Sequence, residues 1–272
     1  MKMKLFASDL DGTLLPHNGT FFDKDIAALH ELGEKGVVRV IATGRSLHFS
    51  RMAIPADFPI DYLIFSSGAG IVRWPSGELL NKAELTGEQT SFLITYLQDH
   101  MLSFMIHKAI PAEHCFYYYS GNHKNGCSTV DYARRLANHG KWGTPLSLKN
   151  NNFASTQALA FIKEEQERFD TIASGLQELK VIRTSSPLGS DEIWVEIFPK
   201  HVSKGAGVTW LCNELEISLE ESVGLGNDYN DLDLLNATAK SYVVGSAPEE
   251  LKEKFDVVPE IEGFFAAVKL NL

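Results

Sequence analysis

Long apolar runs are missing from this 272-residue chain. No stretch approaches the ~20 residues that cross a bilayer. The start, Met1-Lys-Met-Lys-Leu-Phe-Ala-Ser-Asp9, turns to charge too soon to be the core of a secretory signal. No membrane association is expected. Cysteine is scarce: only Cys115, Cys127 and Cys212 occur, with no Cys-x-x-Cys pair. An odd, scattered set supports neither a disulfide frame nor a zinc site. It reads as free thiols in a reducing compartment, so a cytoplasmic location is expected. Positive charge is in deficit, with 25 Lys and Arg against 35 Asp and Glu. A net charge of -10 excludes a general attraction to nucleic acid, whose phosphates require basic clusters. Anionic small molecules remain open, because one pocket can be locally positive. Several catalytic signatures are absent too: Gly-x-Ser-x-Gly, a Walker loop, His-Glu-x-x-His and an intact Gly-x-Gly-x-x-Gly. The nine histidines are scattered and read as surface or structural residues.

What remains is ordinary globular material, 44% apolar and 22% charged. The first part alternates strand and helix. A short apolar run, Leu5-Phe-Ala7, ends in an acidic turn; Ile26, Leu29 and Leu32 recur at helical spacing until Gly36; β-branched residues from Val37 to Ile41 and the run Tyr62-Leu-Ile-Phe65 read as strands. Strand, helix, strand implies a parallel sheet faced by helices. The same order resumes with a strand at Ile193–Phe198, a helix from about Gly205 to Glu214, the strand Val223-Gly-Leu225, a helical segment from Asn227 to Asn236 and the strand Tyr242-Val-Val244. Between these parts lies a different rhythm. A capping box, Thr86 with Gln89, opens a helix. Strand-like runs follow at 104–106, 116–119, 159–162 and 181–182, with helices at Tyr132–His139 and Phe169–Leu179. The expectation is an α/β core formed by residues 1–82 and 187–272, with an inserted α+β domain at 83–186.

Four segments carry chemistry. Asp9-Leu-Asp11-Gly12-Thr13 directly follows a strand, which aims two carboxylates at the crevice where open α/β sheets bind ligands. Such a pair repels itself unless a cation or shared proton intervenes, so a metal is expected. Gly12 permits the tight turn, and Thr13 is expected to satisfy backbone groups in it. Chance alone yields Asp-x-Asp-Gly-Thr on the order of 10⁻³ times in a chain of this length. Thr43-Gly44-Arg45 ends the next strand, at an expected helix start, with a hydroxyl and exposed N–H groups suited to phosphate oxygens. Lys204 opens a helix where an ammonium can neutralise both carboxylate and phosphate. Gly226-Asn227-Asp228-Tyr-Asn230-Asp231 concentrates oxygen ligands suited to Mg²⁺. In isolation the last three are a helix cap, a solvated lysine and an Asx-rich turn. Together they are expected at four core strand ends on one rim.

On these residues the chain resembles the haloacid dehalogenase superfamily, and within it the Cof-type phosphatases with a large α/β (C2-type) cap. Asp9-x-Asp11-Gly-Thr13 is similar to the first motif, Thr43-Gly-Arg to the second, Lys204 to the third and Gly226-Asn227-x-x-Asn230-Asp231 to the fourth. Ser66-Ser67-Gly-Ala resembles the family's Asn-Gly-Ala segment, with serine at 67. The inserted domain matches by size and position only. The resemblance implies a Rossmann-like core whose inserted cap selects a small phosphorylated metabolite, with Asp9 as nucleophile and Asp11 as acid and base. It implies Mg²⁺ on the Asp9 side chain, the Asp11 backbone carbonyl and the fourth-motif ligand. Thr43, Gly44 and Lys204 would hold the phosphoryl group, with Asn230 and Asp231 around the metal. The family's fourth motif usually begins Gly-Asp, so either Asn227 or Asp228 takes the ligand position; the spacing to Asn230 and Asp231 favours Asn227. A phosphomutase on the same core, or a non-catalytic phosphometabolite-binding protein, are the alternatives. His114, Lys124, Arg134 and Arg135 are the polar candidates in the cap, Tyr117–Tyr119 are expected in its sheet and core, and the chain is expected to be a monomer or small homo-oligomer.

Overall fold

The structure is a computed structural model that describes residues 2–121, 129–147, 149, 151–163 and 165–272. Cys127 and Lys124 lie outside the described residues. The chain folds into two compact units, one formed by Met1–Lys82 with Val202–Leu272 and the other by Ala83–His201.

The first unit begins with β1 (Leu5–Ser8), α1 (Asp23–Glu34), β2 (Val38–Ala42), α2 (Leu47–Ala53), β3 (Tyr62–Phe65), β4 (Gly70–Arg73) and β5 (Leu79–Lys82). All four residues of β1 and all four of β3 are buried, as a strand covered on both faces requires. The second unit contains α3 (Gly87–Asp99), β6 (Ser103–Lys108), β7 (Phe116–Tyr119), α4 (Val130–His139), β8 (Gly143–Pro145), β9 (Ser155–Lys163), α5 (Gln166–Ser174), β10 (Leu179–Ser185) and β11 (Glu192–Pro199). The capping box of Thr86 and Gln89 starts α3 as its sequence requires. The chain then returns to the first unit with α6 (Lys204–Glu214), β12 (Ser222–Gly226), α7 (Leu232–Ala237), β13 (Lys240–Val244), α8 (Glu249–Lys252), β14 (Asp256–Val258) and α9 (Gly263–Lys269).

The first unit's sheet runs β14-β13-β12-β1-β2-β3-β4-β5, parallel from β14 to β3 and antiparallel thereafter. β1 lies between β12 and β2, so the residues after these three strands emerge side by side at one edge of the sheet. This is the α/β arrangement read from the sequence. Leu5, Ala7, Val40, Ala42, Ile64 and Ile71 pack against Val208, Leu211 and Cys212 of α6 on one face.

The second unit's sheet runs β10-β11-β9-β6-β7-β8 and is antiparallel except between β7 and β8. Period-two alternation divides its strands between two cores. Ala158, Ala160 and Ile162 join Leu93, Leu97 and Ile172 on the α3 and α5 side, whereas Leu159 and Phe161 join Tyr132 and Trp194 on the α4 side. Tyr117 and Tyr119 pack on the first face and Tyr118 on the second, a sheet-and-core role.

Two expectations change here. The segment Ile193–Phe198 is β11, paired with β9 and β10 in the second sheet, so the chain crosses back near 202 and not at 187. The polar stretch around Pro187 is the turn of the β10–β11 hairpin, closed by the Ser186 hydroxyl accepting from the Leu188 and Ser190 N–H groups. Local antiparallel pairing through a short turn outcompetes a long-range parallel pairing. The helix expected to reach Leu179 stops at Ser174, where Gly175 caps it, and Leu179 opens β10. Among the described residues no helix is long and apolar enough to cross a membrane.

Candidate active site

Asp9 directly follows β1, and its N–H donates to the Leu225 carbonyl at 2.8 Å, continuing the ladder to β12. The following turn is closed by the Leu10 carbonyl, which accepts from Leu15 at 2.7 Å and Thr13 at 3.3 Å. The Thr13 hydroxyl is buried with no hydrogen-bond partner, so the expected backbone role for it is not what holds this turn. Gly12 has φ 73°, and a Cβ there would lie 2.5 Å from Asn227 Nδ2. The left-handed conformation calls for glycine, and a Cβ would also push the Asn227 amide aside.

Lys204 links the first and fourth motifs. Its expected place is the end of a core strand, but the strand before it belongs to the second sheet; Lys204 is the first residue of α6, immediately after the chain re-enters this unit, and Ser203 caps the helix by accepting from the Ala206 N–H. Its Nζ lies 2.6 Å from Asp9 Oδ1, 2.6 Å from Asp231 Oδ1 and 3.4 Å from Asn230 Oδ1. Lys204, Asp9 and Asp231 are all buried. Burial opposes the ammonium's charge, but the Asp231 and Asp9 carboxylates outweigh it and raise the Lys204 pKa above the usual lysine range. Burial, reinforced by the charges of Asp231 and Asp11, pushes the Asp9 carboxyl up to about 7 despite Lys204. One ammonium shared between two carboxylates does not neutralise the pair.

The fourth motif wraps around Asp231. Its Oδ2 accepts from the N–H groups of Asn227 at 2.8 Å and Asp228 at 3.1 Å. The Asp228 side chain caps the turn by accepting from the Asp231 backbone N–H. The Asn227 side chain instead crosses to the first motif, donating from Nδ2 to the Asp11 carbonyl at 3.1 Å. Asn230 faces the Lys204 ammonium.

The second motif lies beside the first, in a loop. Thr43, one residue beyond β2, is buried. The helix start expected at this motif falls beyond it, at Leu47, with Ser46 as its cap. Thr43 Oγ1 accepts from the Arg45 N–H at 3.2 Å, leaving its O–H available to a ligand oxygen. The loop after β3 supports this motif: Ser66 N–H donates to the Arg45 carbonyl at 2.8 Å and Ser67 N–H to the Thr43 carbonyl at 3.0 Å. Ser66 and Ser67 hold φ of 47° and 53°, a left-handed pair that costs on the order of 1 kcal/mol per residue. Gly68 follows at φ 106°, where a Cβ would strike the Ser203 carbonyl oxygen at 2.2 Å.

One residue whose role the motifs did not reveal is Arg45. Its guanidinium takes both oxygens of Asp11, Nε to Oδ2 at 2.8 Å and Nη2 to Oδ1 at 2.6 Å. This hydrogen bonding, with the Asp11 charge, raises the Arg45 pKa against the lowering effect of burial. Its sequence signal was its place directly after Thr43-Gly44; the partner could not be read. The structure thus brings Asp9, Asp11, Asn227, Asn230, Asp231 and Lys204 into one hydrogen-bonded group, with Thr43 and Arg45 joined through Asp11. The cap candidates Arg134 and Arg135 have bonds inside their own unit: Arg134 Nη1 donates to the Leu188 carbonyl at 3.4 Å, and the Arg135 guanidinium lies 5.0 Å over the Trp194 ring. His114 packs edge-on against Trp142.

A parallel-sheet core with paired carboxylates after its central strand, and a buried lysine bridging the first of them to the acidic turn after the neighbouring strand, defines a class of Rossmann-like hydrolases. The chain belongs to the haloacid dehalogenase-like hydrolases: the family matches over residues 6–261, nearly the whole length. It is 24% identical to phosphatase YwpJ of Bacillus subtilis, over 94% of both chains. It is 23% identical to the HMP-PP phosphatase of Escherichia coli O157:H7, over 95% of this chain and 90% of that protein. In fold it is similar to the phosphatase BT1666 from Bacteroides thetaiotaomicron, with a TM-score of 0.77, 19% identity and coverage of 99% and 95%. The subclass IIB sugar phosphatase BT4131 is likewise similar, with a TM-score of 0.77, 21% identity and coverage of 98% of each chain. The chain is an enzyme of this hydrolase family.

Proposed function

We propose that the enzyme is a Mg²⁺-dependent phosphatase that hydrolyses a small phosphorylated metabolite, such as a sugar phosphate, through a phosphoryl group carried on Asp9. The observation that carries this reading is the Lys204 ammonium held 2.6 Å from both Asp9 and Asp231. It fixes the nucleophile's carboxylate at the end of β1 and ties the first motif to the fourth. The phosphatase names of the full-length relatives support the reaction class. The free thiols of Cys115 and Cys212 agree with a reducing, cytoplasmic setting.

The residues fit a hard divalent cation. Asp9 is pushed up to about 7 by burial and by its acidic neighbours, so a further positive charge is needed to keep it ionised at neutral pH. The Asn227 amide nitrogen donates to the Asp11 carbonyl at 3.1 Å, and a flip of that amide about its last side-chain bond would turn its oxygen to the same side as the carbonyl. Among the described residues no three His, Cys, Asp or Glu side chains form a cage. A set of one carboxylate, a backbone carbonyl and an amide oxygen suits Mg²⁺, which retains several waters. Asp9, the Asp11 carbonyl and Asn227 would hold it, with Asp231 orienting the Asn227 backbone. Asp228 is occupied in capping its turn. When bound, Mg²⁺ supplies charge neutralisation for the nucleophile and the phosphoryl oxygens.

In the first half-reaction the Asp9 carboxylate attacks phosphorus, the bond to the leaving oxygen breaks, and Asp11 gives that oxygen its proton. In the second, Asp11 takes a proton from water as it attacks phosphorus, the bond to Asp9 breaks, and inorganic phosphate leaves. The Thr43 hydroxyl, the Gly44 N–H and Lys204 hold the phosphoryl oxygens, and Asn230 orients Lys204. Leaving-group selection falls to the second unit.

A phosphate-ester panel tests this reading. Wild type is expected to release inorganic phosphate only with Mg²⁺, and Asp9→Asn to release none. Isomerised sugar phosphate without release would indicate a phosphomutase. Tight ester binding without any turnover would indicate a sensor.

A further inference from the structure

Asp11 is not a free side chain. The Arg45 guanidinium holds both of its carboxylate oxygens, at 2.8 and 2.6 Å. Most exposed ion pairs between flexible side chains contribute little. This one differs in two ways. It is bidentate, which fixes the plane of the carboxylate as well as its distance. The arginine backbone is also held at both ends, its N–H by Thr43 Oγ1 at 3.2 Å and its carbonyl by the Ser66 N–H at 2.8 Å. Ser66 belongs to the left-handed pair after β3, a strained conformation of the kind retained where a position matters. An unbroken chain of bonds therefore runs from the loop after β3, through Arg45, to the carboxylate of Asp11. At the other end of residue 11, its backbone carbonyl accepts from Asn227.

Resting on the phosphatase reading, we propose that Arg45 is a positioning residue: its bidentate hold on Asp11 sets where the acid and base of the reaction stands relative to the leaving oxygen. Arg45 acts through Asp11 and takes no part in binding the ester. In the first half-reaction the Asp11 proton moves to the leaving alkoxide as the phosphorus–oxygen bond breaks. In the second the same carboxylate receives a proton from water. An alkoxide needs that proton; a nitrophenolate leaves without it. Loss of Arg45 therefore slows transfer to Asp9 from one kind of ester and spares it from the other, a difference read in kcat/KM, because the water step that follows is common to both.

The test compares wild type, Arg45→Gln and Arg45→Lys on an alkyl ester (a hexose 6-phosphate) and an aryl ester (4-nitrophenyl phosphate), each with Mg²⁺ and a thermal melt to confirm folding. General acid catalysis supplies about 10²- to 10⁴-fold, so Arg45→Gln is expected to lower kcat/KM on the alkyl ester by more than about tenfold and on the aryl ester by less than about threefold. Arg45→Lys, which keeps the charge but not the fork, is expected to fall between wild type and Arg45→Gln on the alkyl ester. In an Asp11→Asn background Arg45→Gln is expected to add no further loss, as for two residues acting as a unit. Equal losses of kcat/KM on both esters, or additive losses with Asp11→Asn, would overturn the proposal while leaving the phosphatase reading intact. A wild type that releases phosphate from neither ester would overturn both.

Discussion

Asp231 Oδ1 and the Lys204 ammonium lie 2.6 Å apart, both buried, although one side chain follows β12 and the other begins α6. Asp231 Oδ2 meanwhile gathers the Asn227 and Asp228 N–H groups. One carboxylate thus fixes the lysine and shapes the turn that presents Asn227.

That relationship makes Lys204 intolerant of removal. Lys204→Met leaves the buried carboxylates of Asp9 and Asp231 facing each other without a cation. Loss of one partner from a buried ion pair costs about 3–5 kcal/mol, so chemical denaturation is expected to show a loss of that order, with turnover abolished. A variant with wild-type stability would show that the pairing is not structural.

The two candidate metal ligands of the fourth motif separate by different measurements. Asn227→Asp adds a charged oxygen beside the Asp11 carbonyl and is expected to tighten Mg²⁺ in a calorimetric titration. Asp228→Ala removes a cap, which typically costs about 0.5–2 kcal/mol, and is expected to lower the melting temperature with little change in Mg²⁺ affinity. The opposite ranking in the titration would transfer the ligand role to Asp228.

Away from the site, Asp25 makes stability depend on pH. One of its oxygens accepts from the Phe265 N–H at 2.8 Å and the other is buried with no hydrogen-bond partner. Burial pushes this carboxyl up to about 6, against the lowering effect of the Phe265 bond. Its folded pKa exceeds the unfolded one, so the folded state holds the extra proton between about pH 4 and 6 and stability falls as pH rises through that window. Asp25→Asn removes the effect. Between pH 4 and 7 the wild type is expected to lose on the order of 2 kcal/mol relative to the variant, read from urea midpoints at each pH. Parallel pH profiles for the two proteins would refute it.

In the second unit, Trp194 Nε1 donates to Asp131 Oδ2 at 2.7 Å, joining β11 to α4 across the sheet. Both residues are buried. Trp194→Phe keeps most of the ring but strands a buried carboxylate, and is expected to cost about 1–3 kcal/mol in denaturant titration. No measurable loss would mean that water replaces the indole.

The strands of the first sheet were legible because parallel strands covered on both faces read as short apolar runs, as in Tyr62–Phe65. The gathering of the first and fourth motifs was legible because Asp, Asn and Gly crowd into turns that follow such runs. β11 was misassigned because Ile193–Phe198 carries the same apolar content in either sheet; only its hairpin with β10 and its pairing with β9 decide the matter. The segment Ser66-Ser67-Gly-Ala stood out by resemblance, but its left-handed conformation gave no signal, since serine has no strong preference for positive φ and the conformation is tied to the carbonyls of Thr43 and Arg45.

The sequence alone determined the alternation of elements, the residue types of the site and, with them, the family. Those features are local: periodicity, turn chemistry and spacing act over a few residues. Which charges share a bond was decided only by tertiary structure. Lys204 reaches Asp9 across 195 positions of the chain, and Arg45 reaches Asp11 across 34. Such pairings depend on how the sheet orders its strands, and burial then makes them strong.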